Sequence, residues 1–335
     1  MPVLNRNPAD PGNIDGCFRT AALDRTRRSG GEQSACRIAF DEDTVNPVPP
    51  GRRARNSQVL QRSSALPHAN QVKGILKMSP KEIVLSAVVA LFTNFDPEAA
   101  SQLLKENYIQ HNPAVPTGAA PILGFLPALK QSGLTATTHR VLAEGDLVVL
   151  HSTYENAQAF GGQTMVAFDV FRVEDGKVAE HWDNLQAAVP ASKTASGNSM
   201  TDGATEIKDL AKTAENRTLV ENFVHDVLLG TAPQKITDYI STETYIQHNP
   251  MVGNGLDGLG AALKAMAEAG QPMAYTKTHL IVAEGNFVFT ASEGKLGETP
   301  TAFFDLFRVE SGKIVEHWDT ISTIPAQMAH DNGKF

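Results

Sequence analysis

The sequence predicts an α+β fold built twice: two tandem cone-shaped domains, each with N-terminal helices packed on a strongly curved antiparallel or mixed sheet that encloses a pocket. Three observations predict it. The hexapeptide Tyr-Ile-Gln-His-Asn-Pro stands at 108–113 and again at 245–250. Each copy is followed by Ala-Glu-Gly from Ala143 and Ala283, by Phe-Asp-x-Phe-Arg-Val-Glu from Phe168 and Phe304, and by Glu-His-Trp-Asp from Glu180 and Glu316. Before each hexapeptide the apolar residues recur at helical spacing, and well after it they alternate with period two. The copies stay 136 to 140 residues apart. A period that long is a whole domain, because solenoid repeats run at about 20–50 residues.

Each copy opens on a helix, 83–92 in the first. In the second, Leu219, Val220, Phe223, Val224, Val227 and Leu228 form the matching amphipathic stripe. Ten apolar residues at 83–92 are too few to cross a bilayer. A second helix is expected at 97–105 and 232–240, with Asp96-Pro97 as a start signal. The hexapeptide ends in Pro113 or Pro250, which forbids helix there. A short helix follows at 124–131 and 258–269. Strands are expected at 137–142, 147–154, 165–173 and 178–186, joined by Gly-containing turns. Helices first and an antiparallel sheet afterwards gives helices on one sheet face.

The last hairpin turns through Glu174-Asp-Gly-Lys and Glu310-Ser-Gly-Lys. Ser311 is poor at positive φ, so a type I turn with a left-handed Gly and a bulge is expected. That register sets Asp169 opposite His181 and Ala167 opposite Asp183. Asp169, His181 and Asp183 then share one face, with Phe168, Val170, Glu180 and Trp182 on the other. Phe303 replaces Ala167 in the second copy and is expected to crowd Asp319, making the first pocket the more active.

Residues 1–77 form a leader unlike the rest, rich in Arg, Pro, Ser and Gly. Residues 1–80 carry 12 Lys/Arg against 7 Asp/Glu, so the chain's net −8 places −13 on the repeats. Such a segment lacks the apolar surface to offset ordering entropy and reads as disordered. A transit peptide is the competing reading, opposed by Asp10, Asp15, Asp24 and Asp41; a gene start at Met78 is a third. A cytoplasmic location follows from the tail reading and an organellar one from the transit peptide. Cys17 and Cys36 both lie in the leader, so the repeats hold no disulfide and no cysteine ligand. Acidic repeats and a leader without interleaved aromatics argue against nucleic acid, and no membrane partner is expected. The organisation is then leader 1–77, domain 78–189, linker 190–214, domain 215–325 and tail 326–335.

Buried carboxylates beside imidazoles suit general acid–base chemistry. The candidates are Asp183, His181 and Asp169, with Asp319, His317 and Asp305 in the second copy. Tyr108, Gln110, His111, Asn112, His139 and His151 are candidate substrate contacts, as are Tyr245, Gln247, His248, Asn249 and His279. No cofactor and no metal are expected. No two of these histidines stand three or four residues apart as a helical ligand pair, although scattered ones can converge in space. No Gly-rich phosphate loop or Gly-x-Ser-x-Gly elbow is present.

At these motifs the chain resembles the SnoaL-like polyketide cyclase family of the nuclear-transport-factor-2-like superfamily, over nearly all of 79–188 and 215–325. The resemblance implies a deep cavity and an aldol ring closure without metal or Schiff base. It assigns the acid/base to Asp183 and Asp319, with His181 and His317 two residues earlier. Asp169 and Asp305 stand where the cyclase has a His, which adds a second carboxylate. It also implies dimerisation through the outer sheet face, where Trp182 and Trp318 lie, and hence an intramolecular pseudo-dimer able to associate further. The expected partner is a small carbonyl substrate, with proton abstraction α to the carbonyl. A non-catalytic pocket for an apolar ligand, or a dimerisation scaffold, is the alternative. A metal-dependent enzyme using the His cluster is a second.

Overall fold

The computed structural model describes residues 78–335. The expectations for the leader, Cys17 and Cys36 included, lie outside the described residues.

In the first repeat α1 (Pro80–Phe92) starts in a capping box between Ser79 and Glu82, and α2 (Pro97–Leu103) starts at Asp96, whose carboxylate accepts from Glu98 N and Ala99 N. The chain then enters β1 (Leu104–Gln110), α3 (Ala119–Ser132), β2 (Thr135–Glu144), β3 (Leu147–Glu155), β4 (Thr164–Glu174) and β5 (Lys177–Ala187). The second repeat repeats the order with α4 (Thr213–Phe223), α5 (Ile236–Tyr239), β6 (Ile246–Gln247), α6 (Gly255–Glu268), β7 (Met273–Glu284), β8 (Phe287–Leu296), β9 (Thr299–Glu310) and β10 (Lys313–Thr323). Each repeat makes one five-stranded mixed sheet, ordered β1-β5-β4-β3-β2 and β6-β10-β9-β8-β7. The four long strands are antiparallel. The hexapeptide strands β1 and β6 lie parallel to β5 and β10. This edge strand was not expected from the sequence. Among the described residues no helix is long and apolar enough to cross a membrane.

The last hairpin corrects the expected register. Asp175 and Gly176 have φ of 53° and 79°, and Ser311 and Gly312 have 51° and 72°, so both turns are two-residue turns with positive φ at each position. Glu174 pairs with Lys177 and Val173 with Val178, but Arg172 pairs with Glu180, leaving Ala179 as a bulge. Asp169 therefore stands opposite Asp183 and Phe171 opposite His181. The turn alone would send every β5 side chain to the wrong face; the one-residue bulge restores it. The expected face survives because the error is two residues. Ala167 faces Leu185, and Phe303 faces Ile321 rather than Asp319.

The outer faces of the two sheets pack on each other around Val149, Phe168, Val170, Trp182, Phe289, Phe304, Leu306 and Trp318. Large apolar side chains buried in this way stabilise by about 1.5–3 kcal/mol each. The Ala-Glu-Gly motif stitches this contact: Ala143 N donates to Glu284 Oε2 (2.7 Å), and Ala283 N donates to Glu144 Oε2 (2.8 Å). Lys81 and Arg217, from the first helix of each repeat, neutralise those carboxylates.

The linker and the tail are both bound. Ala195 N donates to Pro250 O, Asn198 Nδ2 to Gln247 O, and His248 Nδ1 lies 2.7 Å from Ser199 O. The last residues of the chain make the same contacts on the first repeat: Ala329 N to Pro113 O, Asn332 Nδ2 to Gln110 O, and Gly333 O 2.9 Å from His111 Nδ1. Each hexapeptide is thus strapped by the segment that follows the other repeat.

Candidate active site

The two repeated motifs meet because β1 runs beside β5 with Gln110 level with His181. Alternation does the rest. On the outer face, Glu180 binds Arg172 (2.8 Å) and His111 (2.9 Å), and His111 stacks on Trp182 at 4.9 Å. On the inner face, Gln110 holds His181 and Asn112 holds Asp183. Each letter of Glu-His-Trp-Asp has a partner, alternately outside and inside.

The inner geometry is closely determined. Gln110 Oε1 accepts from the backbone N–H of His111 and Asn112 (3.0 and 2.8 Å), which fixes the amide orientation. His181 Nδ1, 3.0 Å from that same oxygen, must therefore carry its proton. His181 Nε2 lies 3.2 Å from Asp169 Oδ1, so a proton is shared there. Tyr154 Oη donates to the other oxygen, Asp169 Oδ2, at 3.0 Å. Asn112 Oδ1 accepts from Ala114 N, leaving Nδ2 to donate to Asp183 Oδ2 at 2.6 Å. Asp183 Oδ1 is buried and has no hydrogen-bond partner. Burial raises the pKa of Asp169, partly opposed by His181.

Apart from the tyrosine, the second repeat matches this contact for contact. Gln247 Oε1 takes the N–H groups of His248 and Asn249 and lies 2.9 Å from His317 Nδ1. His317 Nε2 is 3.0 Å from Asp305. Asn249 Nδ2 donates to Asp319 Oδ2 at 2.7 Å, and Asp319 Oδ1 is again buried without a partner. Burial pushes Asp319 up to about 6, against the pull of His317. For His317, burial disfavours charge, but the Asp305 hydrogen bond and the Asp319 charge outweigh it and raise its pKa.

Tyr108 and Tyr245 are buried beside these carboxylates, their phenols driven upward by burial first and the aspartates second. The remaining expected contacts are placed elsewhere. His111 and His248 are on the outer face, held by glutamates, tryptophans and straps. His151 stacks on Phe168 between the sheets and receives Arg140, with burial pushing its pKa well down. His139 meets Thr153, and His279 stacks on Phe335. Of the four first-copy histidines weighed as a cluster, only His181 reaches the pocket. Tyr154 and Tyr275 line the pockets and were missed by sequence.

The first pocket, about 50 Å³, is closed by Phe92, Val115, Ile122, Phe160 and Leu185; the second, about 60 Å³, by residues that include Leu259, Met266, Met273 and Ile321. Either holds a few waters or the reacting end of a ligand. A larger groove of about 460 Å³ beside Thr237, Glu243 and Lys313 lies away from both aspartate pairs.

A SnoaL-like domain profile matches residues 85–181 and again 220–317. The chain belongs to the SnoaL-like domain family. No curated protein matches it. Among solved structures, one SnoaL-like repeat is similar to TsrD from Streptomyces laurentii at 23% identity, over 31% of this chain and 85% of that one, with a TM-score of 0.27. Another likeness is to IdmH from Streptomyces antibioticus, assigned as a polyketide cyclase (19%, 32% and 93%, TM-score 0.28). A third is to a Kribbella flavida protein assigned as a ketosteroid isomerase (21%, 33% and 79%, TM-score 0.29). Nothing about activity follows from likenesses this distant.

Asp169, His181 and Asp183, and their counterparts in the second SnoaL-like repeat, each bring one ligand-type atom within 4.8 Å of the other two. Such a set can accept a divalent ion, with Gln110, Asn112 and Tyr154 as outer partners. It would need a bare imidazole nitrogen, and both nitrogens of His181 face oxygen acceptors.

Proposed function

We propose that each repeat is an acid–base centre for a small carbonyl compound, with Asp183 or Asp319 as the base. The observation that carries this is the buried Oδ1 of each, which accepts no hydrogen bond at a largely apolar pocket while Asn112 or Asn249 restrains Oδ2; Lys334 Nζ stands 3.7 Å from Asp183 Oδ1 as the nearest cation. Such an oxygen is a preorganised proton acceptor. Asp183 Oδ1 takes a proton α to the carbonyl, and the electron pair moves to the carbonyl oxygen. The proton shared by Asp169 and His181 stabilises that enolate oxygen. Asp183 then returns its proton to a different carbon, which is isomerisation, or to the alkoxide left when the enolate carbon attacks a second carbonyl, which is aldol closure.

Gln110 and Asn112 set the angle of the imidazole and the carboxylate instead of touching substrate through His111. A panel of 1,3-diketones and β-keto thioesters tests the reading, with turnover expected from the native chain and lost in Asp183→Asn/Asp319→Asn. A chain that binds members of the panel without converting any would instead be a ligand-binding pair. A second reading takes the same triads as divalent-ion sites, favoured by their close ligand spacing. Elemental analysis after purification without added metal distinguishes it: a stoichiometric ion lost in Asp169→Asn would replace the proton-sharing scheme.

A further inference from the structure

Duplication explains why matched positions carry matched residues. It does not explain one contact made from unmatched positions. In the first repeat β3 pairs Tyr154 with Ala136 of β2. In the second, the corresponding cross-strand pair is Gly294 of β8 with Tyr275 of β7. The large and small members have changed strands. Both phenols nevertheless reach the same carboxylate: Tyr154 Oη is 3.0 Å from Asp169 Oδ2, and Tyr275 Oη is 3.1 and 3.2 Å from Asp305 Oδ1 and Oδ2.

The surroundings are rebuilt to allow it. A Cβ on Gly294 would stand 2.0 Å from Ala274 O and 2.9 Å from Tyr275 Cα, so a side chain there is incompatible with the new arrangement. Phe303, where the first repeat has Ala167, lies against the Tyr275 ring at 4.3 Å. Tyr154 is instead braced by Phe92 and Phe160, at 5.6 and 5.4 Å.

We propose that Tyr154 and Tyr275 are one positioning group, a neutral phenol that the site requires on the β4 or β9 aspartate and that either strand of the neighbouring pair can supply. In the first repeat the phenol donates to Asp169 Oδ2 and leaves Oδ1 to the imidazole; in the second, Tyr275 Oη reaches both oxygens of Asp305, and Oδ1 also meets His317 Nε2. Burial keeps both phenols protonated, so each is a fixed donor. The other groups facing the Asp169–His181 pair are Asp183 from β5 and Tyr108 and Gln110 from β1, with Lys334 behind Asp183.

The test needs no substrate. In the full chain, stripped of divalent ions with a chelator, His181 and His317 are followed by long-range ¹H–¹⁵N NMR across pH. Removing the phenol in Tyr154→Phe weakens stabilisation of the Asp169 anion, so the pair holds its proton to a pH higher by about half a unit or more. His317 stays where it was. Tyr275→Phe does the converse and provides an independent arm should Tyr154→Phe fold poorly. Ala136→Tyr/Tyr154→Gly, which copies the second repeat, returns the first-site midpoint towards native, whereas Tyr154→Gly alone does not. Unmoved midpoints in both Phe variants, or no recovery in the relocated variant, overturn the proposal. Turnover by the same variants is a second readout that rests on the acid–base reading; its absence would count against that reading and leave the titration result standing.

Discussion

Lys334 lies against Asp183 of the first site, and the matching strap position of the second repeat is Met200. Both residues are buried in the straps, two positions beyond the strap asparagines Asn332 and Asn198. Lys334 Nζ donates to Asp183 O at 2.6 Å and lies 3.7 Å from Asp183 Oδ1, and burial lowers its pKa. A matched set of aspartates, histidine, glutamine and asparagine therefore works in two charge environments. The roof differs as well. An eight-residue connection, 156–163, carries Phe160 over the first pocket, while β8 and β9 are joined by Gly297 and Glu298 alone. Duplication has held the polar constellation fixed while its supports changed.

The sharpest way to break the comparison is to remove the bases. Turnover by Asp183→Asn/Asp319→Asn is expected to fall by about 10²–10⁴-fold, the usual worth of a positioned acid–base group. The two single variants then apportion activity between the pockets. Equal losses would show that Lys334 and Met200 do not distinguish them.

Stability gives the next largest effect. Asp319 has its pKa raised from 3.8 to about 6 by burial. A carboxyl with a raised folded-state value costs stability as pH rises from its unfolded value through its folded one. The penalty builds up as pH rises from about 4 to about 6 and is absent below. At pH 7.5 it amounts to up to about 3 kcal/mol. Asp319→Asn should therefore raise the melting temperature at pH 7.5 and have little effect at pH 4, as calorimetry can check. A destabilised Asp319→Asn at pH 7.5 would contradict the burial argument.

Converting one pocket's background into the other's should have a smaller effect. In an Asp319→Asn chain, Lys334→Met removes a cation near Asp183, so the rising limb of the first site's pH–rate profile should move to higher pH. Met200→Lys in an Asp183→Asn chain should move the second site's limb the other way. Smallest of all, Asn198→Ala and Asn332→Ala should each cost about 1 kcal/mol in denaturant titrations, the worth of a hydrogen bond. A loss confined to one of them would mean that the straps are not equivalent.

Much of this was legible in the sequence. The inner face held Asp169, His181 and Asp183 as expected, because alternation tolerates an even register error. The turn type was not legible, since Ser311 adopts a positive φ that its residue type disfavours. Nor was β1: an edge strand with one partner shows little periodicity beside a proline-ended hexapeptide. The motif histidines misled because alternation splits Gln110-His111-Asn112 across two faces, and only the strand assignment reveals it. Tyr154 and Tyr275 were hidden because comparing the copies position by position erases a contact that has moved between strands. The straps share only Ala-x-x-Asn, at 195–198 and 329–332, which is too little to see in polar segments.

Those straps give the chain the topology of an opened ring. Each half grips the other with the stretch that leaves its own last strand, as two separate copies exchanging arms would. Residues 200–212 carry the chain from the first strap to α4. A bridge of comparable length from the second strap to α1 would close the circle, and cutting within 200–212 would open it again without loosening either grip. Such a circular permutant should fold to the same pair of sites. Severing the chain between β5 and the first strap would instead leave both arms on the second half, which would then grip itself as well as the first.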